Sequence, residues 1–429
     1  MTMEQFRRLA KTPPKGWNSW DCYGASVTEE EVKQNAEYMK NHLLEYGYDY
    51  VVVDIQWYEP TANSSMYHAY ADLEMDEYSR LMPAVNRFPS AADGAGFKPL
   101  GDYIHSLGLK FGIHYMRGIP RQAVHNNTAI KGTDKTARDI VKPNSICPWN
   151  TDMYGVDTTK PGAKEYYRSL IDLFGSWGVD FLKVDDIADS KLYGGHLEEI
   201  VMLREAIDES GYNIVLSLSP GPASLEHGAF LQKHANMWRL TDDYWDNWQQ
   251  LYNMFERCEK WAPFVREGNW PDCDMLPLGH IGIRSVDGGG SDRLTRFTKG
   301  EQKTMLSLWS LFKSPLFFGG ELSDLDDWTL NLLQNSHLIN MHQSGQNPEQ
   351  ISRKDDIVIW KSESDEKVWL ALFNLNDTQK TVIYNANEHI LGTINDFLEI
   401  FSRESLSQTR IQTVLAGHQV KVYEIHKFN

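Results

Sequence analysis

Gly47-Tyr-Asp-Tyr-Val-Val-Val-Asp54 and Gly178-Val-Asp-Phe-Leu-Lys-Val-Asp185 share one grammar, and that grammar decides the fold. A glycine closes a helical segment, an apolar β-rich run follows, and a charged residue ends the run. Gly108-Leu-Lys-Phe-Gly-Ile-His114 and Gly211-Tyr-Asn-Ile-Val-Leu-Ser-Leu218 repeat it. Glycine just past a helix adopts the left-handed conformation at little cost. A nearly all-apolar run suits a parallel strand covered on both faces. The segments between read as helices. Thr28-Glu-Glu-Glu31 is a capping box, with Val32, Ala36, Met39 and Leu43 at helical spacing behind it. Thr298-Lys-Gly-Glu301 is a second capping box, opening a helix through Leu311, and Pro161 marks the start of another.

Working outward, Gly16–Trp20, Met237–Thr241, a weak run near Pro263–Arg266 and Pro315–Phe318 bring the count to about eight strands, the number of a barrel. The alternation predicts an α/β fold, a (β/α)8 TIM barrel over residues 1–345. No GxGxxG or Walker motif follows a strand, which removes the usual ligand of an open doubly wound sheet. Further on, Ile357–Trp360, Val368–Phe373, Lys380–Tyr384, Phe397–Phe401 and Gln419–Ile425 follow one another without helices between them. They predict a C-terminal antiparallel β-sandwich over residues 346–429.

The 429 residues carry 42 Lys and Arg against 59 Asp and Glu, a net charge of −17. Such a surface repels phosphate backbones and anionic lipid, so neither nucleic acid nor a membrane is an expected partner. No stretch approaches the roughly 20 apolar residues of a membrane span, and the start, MTMEQFRRLAKTPPKGW, lacks the apolar centre of a secretory signal. Cys22, Cys147, Cys258 and Cys273 have neither CxxC nor metal-finger spacing. The expectation is a cytoplasmic, reducing location. The 14 Trp and 20 Tyr offer stacking surfaces for a polar ligand such as carbohydrate, although core packing also uses them.

In a barrel of this kind the chemistry sits at the C-terminal strand ends. Those positions hold Trp20 and Asp21, Asp54, His114, then Lys183, Asp185 and Asp186, Ser217 and Ser219, Arg239, Asp242 and Asp243, and finally Asp272 and Asp274. A single Asp after a strand often only caps the next helix. Carboxylates converging from several strand ends are costly unless chemistry or cations use them. A metallohydrolase would place His-x-His at the first strand end, where this chain has Trp17-Asn-Ser-Trp20. Lys183 could serve a Schiff-base aldolase, but Asp185 on the same face keeps an amine charged. Glycoside hydrolysis wants two carboxyl groups flanking a sugar bond, with aromatic and polar residues fixing the ring. The inventory meets that demand best.

Pro14-Lys-Gly-Trp-Asn-Ser-Trp20, Phe181-Leu-Lys-Val-Asp185, Trp238-Arg-Leu-Thr-Asp-Asp243 and Trp270-Pro-Asp-Cys-Asp-Met-Leu276 resemble the motifs of glycoside hydrolase family 27, the α-galactosidase and α-N-acetylgalactosaminidase family. The resemblance covers the whole chain. It implies a retaining exo-α-glycosidase that hydrolyses a terminal α-linked galactose or N-acetylgalactosamine by double displacement, without a metal or organic cofactor. By the same resemblance Asp185 matches the nucleophile and Asp243 the general acid/base, while Trp20, Asp54, Lys183, Ser219, Arg239 and Asp274 match substrate-binding positions. Asp272 matches a supporting carboxylate.

The departures carry information too. Galactose-specific members have two consecutive Asp at the end of strand two, whereas this chain has Asp54-Ile55. An isoleucine accepts no hydrogen bond from a sugar hydroxyl, so a different pyranose, an α-glucoside or a β-L-arabinopyranoside, is the alternative, and a catalytically silent carbohydrate-binding protein is another. Ser219 stands where galactosidases carry Glu and N-acetylgalactosaminidases carry Ser, leaving room beside the sugar 2-position. Ile187 replaces a cysteine of an active-site disulfide. Residues 116–160, with Arg117, Arg121, Cys147 and Trp149, form a long insertion expected to wall the pocket and contact sugar. The other reading is a rigid surface segment with buried aromatics.

Overall fold

The computed structural model describes residues 3–286, 290–386, 397–407 and 410–427. Its eight central strands are β1 (Lys15–Asn18), β2 (Tyr50–Val53), β3 (Lys110–Met116), β4 (Val179–Asp185), β5 (Val215–Leu218), β6 (Met237–Arg239), β7 (Trp270–Asp272) and β8 (Leu316–Phe318). They pair in parallel in the order β7-β6-β5-β4-β3-β2-β1-β8. Just past β7, the N–H of Leu276 donates to the Phe317 carbonyl (2.8 Å) and its carbonyl accepts from Gly319 N–H (3.0 Å). That bridge closes the sheet into the TIM barrel.

Local chemistry explains the elements. Thr28 and Thr298 each form a reciprocal capping box, with Glu31 and Glu301, and start the helices Glu29–His42 and Lys299–Phe312. Gly47, Gly108, Gly178 and Gly211 all have positive φ, between 78° and 82°, as glycines closing helices should. β2 is buried at every position, as a strand covered on both faces must be.

Two expected boundaries move. The weak run at Pro263–Arg266 is not a strand: Ala262–Phe264 is a 3-10 turn with Pro263 in its first turn, where the missing N–H is harmless. The seventh strand is Trp270–Asp272, entered through Gly268 at φ +81°. The helix expected from Pro161 begins at Ala163, after Gly162 at φ +100°.

By internal contacts the chain divides into two compact units. One comprises Met1–Tyr244, Glu267–Thr295 and Leu316–Leu325 and contains the barrel strands. The other comprises Trp245–Arg266, Arg296–Pro315 and Asp326–Asn429. In the second, a six-stranded antiparallel sheet faces a two-stranded one, Lys380–Asn385 with Arg410–Leu415. Val368, Leu370 and Leu372 alternate into the shared core with Val382, Ile411, Leu415 and Phe397. Strand Lys367–Asn374 is buried on its other face as well. There Phe373 meets Phe255 of the helix Trp248–Trp261, ring centroids 4.9 Å apart. The helices Trp248–Trp261 and Lys299–Phe312 therefore belong to this unit, and the sheet is a β-sandwich backed by helices.

Candidate active site

Within the first unit a cavity with about 350 Å³ of free space opens at the C-terminal strand ends. Its polar lining is Asn18, Lys183, Ser217, Ser219, Arg239, Asp272 and Asp274, and its apolar lining Phe181, Met237, Met275 and Phe317. The pairs 181/183 and 237/239 are two residues apart because alternate side chains of a strand share a face, whereas Ser219 and Asp274 lie just past the strands that hold Ser217 and Asp272. Part of that space is open to solvent.

The left half of this lining is organised around Lys183. Its Nζ donates to Asp54 Oδ2 at 2.7 Å, and Asn18 Nδ2 donates to the same oxygen at 2.7 Å. Burial alone would lower the Lys183 pKa, but the Asp54 and Asp185 charges raise it instead. An amine held charged in this way is no Schiff-base nucleophile. Asp54 is buried, which would raise its pKa, yet Lys183 and His114 hold it below the usual carboxylate range.

Asp185 follows Lys183 on the same face of β4. Its Oδ1 accepts the Asp186 N–H at 2.8 Å and its Oδ2 lies 3.2 Å from His114 Nε2. Burial works against its charge, but the His114 hydrogen bond and the Lys183 charge outweigh it and hold the carboxyl far below its ordinary value. Asp185 is thus a fixed anion. Its side chain keeps 15% exposure, enough for a ligand to reach.

The right half centres on Arg239, whose Nη2 donates to Asp243 Oδ1 (3.1 Å) and Asp274 Oδ2 (2.9 Å). Asp274 sits at φ +78°, takes the Tyr244 N–H on Oδ2 (2.8 Å), and donates its own N–H to Asp272 Oδ1 (2.9 Å). Burial, then the neighbouring Asp274 charge, pushes Asp272 up to about 7. Burial likewise raises Asp274, against the pull of Arg239. Asp243 is 46% exposed and turns toward Arg239, while its neighbour Asp242 turns outward to Lys191 at 3.3 Å.

The remaining sequence-predicted residues divide. Ser217 and Ser219 line the cavity, with Ser219 Oγ 3.4 Å from the Val184 carbonyl. Trp20 is buried beside Tyr67, ring centroids 6.1 Å apart, and is not among the cavity-lining residues. Asp21 is fully buried against Gly319, and burial followed by the Asp274 and Asp243 charges raises its carboxyl pKa well above the ordinary range. Ile55 and Ile187 are buried, and the four cysteines are buried and not joined in disulfides.

The insertion is ordered, and its residues pack against their neighbours. No residue of 116–160 lines the cavity. Instead it folds as a small antiparallel sheet of Ile119–Pro120, Met153–Val156 and Val141–Ile146. Arg121 packs over the Tyr154 ring at 4.4 Å, Trp149 meets Tyr67 at 5.6 Å, and Arg117 turns inward to Asp186 and Glu199. The sequence reading also missed Asn18 and the apolar lining. The signal was available: Asn18 ends the first strand, and Phe181, Met237 and Phe317 lie on strands already identified, Phe181 and Met237 two residues before Lys183 and Arg239.

The C-terminal end of the barrel carries a small cavity, a fixed anion (Asp185) at one strand end and an accessible carboxylate (Asp243) after another, the inventory that a carbohydrate-cleaving hydrolase uses. Neither carboxylate is among the cavity-lining residues. The comparisons with known proteins agree. The profile of the family described as Alpha galactosidase A matches residues 149–344. Alpha-galactosidase 2 of Arabidopsis thaliana is 26% identical over 97% of this chain and 90% of its own length. The structure of a GH27 β-L-arabinopyranosidase from Geobacillus stearothermophilus is 58% identical, covers 99% of this chain and 98% of that one, and superposes with a TM-score of 0.97. A protein of Bacillus halodurans C-125 with a proposed α-N-acetylgalactosaminidase assignment is 55% identical over 97% of both chains, TM-score 0.88. The chain belongs to glycoside hydrolase family 27.

Proposed function

We propose that the protein is a retaining exo-glycosidase that removes terminal β-L-arabinopyranosyl units. The observation carrying this reading is Ile55, the residue after Asp54, in a chain 58% identical to a β-L-arabinopyranosidase. β-L-Arabinopyranose has the ring configuration of α-D-galactopyranose but lacks its hydroxymethyl group. Asp54, fixed by Asn18 and Lys183, still accepts hydrogen bonds from ring hydroxyls. Ile55, buried next to Asp54 in the chain, stands where galactosidases have a second carboxylate, so a sugar without a 6-hydroxyl would leave no polar group unpaired there. N-acetylgalactosamine is the second reading, favoured by Ser219 in the cavity lining.

The chemistry follows from the two carboxylates. Asp185, ionised, attacks the anomeric carbon while Asp243 gives its proton to the departing oxygen. The glycosyl ester is then hydrolysed by a water that Asp243 deprotonates, and the anomeric configuration is kept. That route needs the carboxyl groups about 5–5.5 Å apart. Lys183 and His114 keep the nucleophile charged before attack. Arg239 orients Asp243.

Release of p-nitrophenol from β-L-arabinopyranoside, α-galactoside, α-N-acetylgalactosaminide and α-glucoside tests the specificity, and proton NMR of the first-formed product tests retention. The arabinopyranoside is expected to have the highest kcat/KM. Ile55→Asp is expected to shift the galactoside-to-arabinopyranoside ratio of kcat/KM by about 10- to 100-fold toward galactoside, the scale of a buried polar mismatch. A wild-type preference for the N-acetylgalactosaminide would overturn the arabinopyranoside reading while leaving the mechanism intact.

A further inference from the structure

Arg117 is the most heavily engaged side chain near the nucleophile, and nothing in the double displacement uses it directly. It follows β3, is 2% exposed, and holds two peptide units at the end of β4. Its backbone N–H donates to the Asp185 carbonyl at 3.1 Å. Its Nε donates to the Asp186 carbonyl and its Nη2 to Asp186 Oδ2, both at 2.7 Å. Asp186 in turn gives its N–H to Asp185 Oδ1 at 2.8 Å, from a left-handed conformation at φ +53°. A non-glycine residue is seldom found there without local support.

The far side of the guanidinium is anchored as firmly. Nη1 donates to Glu199 Oε1 and to Ser145 Oγ, both at 3.0 Å. Glu199 lies on the helix Leu197–Ser210 and accepts from the Tyr167 hydroxyl, whereas Ser145 belongs to the insertion sheet. Gly155 makes room for the group, since a Cβ there would stand 2.7 Å from Nη1 and 2.6 Å from Ser145 Oγ. A planar five-donor fork satisfies this pattern, and a lysine cannot.

We propose that Arg117 is a positioning residue for catalysis: by clasping Asp186 it aims the Asp186 N–H, and so fixes the Asp185 carboxylate in its attacking orientation. In this way the insertion after β3 serves the reaction from behind the nucleophile. This rests on the reading of Asp185 as nucleophile.

The test is Arg117→Lys, which keeps the buried positive charge beside Asp186 and Glu199 but not the fork, with Gly155→Ala as a second variant that crowds Nη1 without changing charge. Active sites are counted from the end-point of labelling with a 2-fluoro glycosyl fluoride, and turnover is expressed per labelled site. Expected is a fall in kcat per site of about 10- to 100-fold for Arg117→Lys, the scale of a misplaced reacting group, with KM within about threefold. Gly155→Ala should fall in the same direction by less. Fewer labelled sites with wild-type turnover at each would show a merely structural role and overturn the proposal. Asp185→Ala with added azide is run in parallel. If azide restores glycoside cleavage there, the nucleophile reading stands whatever Arg117 does; if wild-type label maps to another carboxylate, that reading fails first.

Discussion

The ends of β4 and β6 each present adjacent aspartates, and the structure treats the two pairs in opposite ways. At β4, Asp185 is gripped on both oxygens and lies beside a lysine, and Asp186 is buried. At β6, Asp243 has one oxygen on Arg239 and is 46% exposed, while Asp242 faces outward. The lesson concerns proton traffic. In the proposed mechanism the nucleophile must be ionised when it attacks, so it is held among groups that favour its charge. An acid/base must exchange its proton with substrate and water, so it sits on a loop within reach of both.

Removing the fixed anion should cost most. Asp185→Ala is expected to lower kcat by about 10⁴-fold or more, the scale of losing a nucleophile, for good and poor leaving groups alike. Asp243→Ala should cost less on an activated substrate. With p-nitrophenol, which needs little protonation, the loss should be about 10²-fold, within the range for general acid catalysis, and larger for an alkyl or sugar leaving group. The variant should also lose one limb of the pH profile of kcat/KM. If both variants depended equally on the leaving group, the contrast between the strand ends would collapse.

The sequence made this contrast half visible. The glycine-to-strand grammar exposed β2 to β5 because their runs are apolar, long and introduced by a helix-closing glycine. β7 escaped: Pro271 makes it look unlike a strand, and the glycine before it, Gly268, lies in a turn rather than closing a helix. Pro271 is tolerated where β7 has a full ladder partner only in β6. In the sandwich, Gln346–Lys354 and Arg410–Leu415 went unread because one is mostly polar and the other alternates Ile411, Thr413 and Leu415 with exposed neighbours. Charged residues at strand ends were legible from position alone. Which of Asp242 and Asp243 turns inward was not, since it depends on Arg239 and Lys191. Nor was the destination of Arg117, which is set by a sheet that forms only when the insertion folds back on itself.

A third, smaller effect tests the electrostatics behind Arg239. Asp272 is raised to about 7 by burial and by Asp274, so the folded state favours its protonated form. Its stabilising contribution is full below its ordinary value of 3.8, and is lost as pH rises through about 7. Asp272→Asn keeps an oxygen to accept the Asp274 N–H but removes the titration. Its Tm relative to wild type is therefore expected to be higher at pH 8 than at pH 5, by about 1–3 °C. Differential scanning fluorimetry at the two pH values checks this, and an unchanged difference would mean that Asp272 does not titrate between pH 5 and pH 8.

The smallest effect isolates the inward from the outward aspartate. Asp242 is 57% exposed and its partner Lys191 56%, so the pair is screened by water and contributes little to stability. Its one structural task is for Oδ1 to accept the Asp243 N–H at 3.0 Å, which shapes the turn carrying Asp243. Asp242→Asn retains that acceptor and loses only the charge. It is expected to leave kcat within about twofold and the pH profile in place, because an exposed charge is largely screened at physiological salt. A loss comparable to that of Asp243→Ala, together with a displaced pH limb, would exchange the roles of the two residues and place the proton donor on the outward side of the turn.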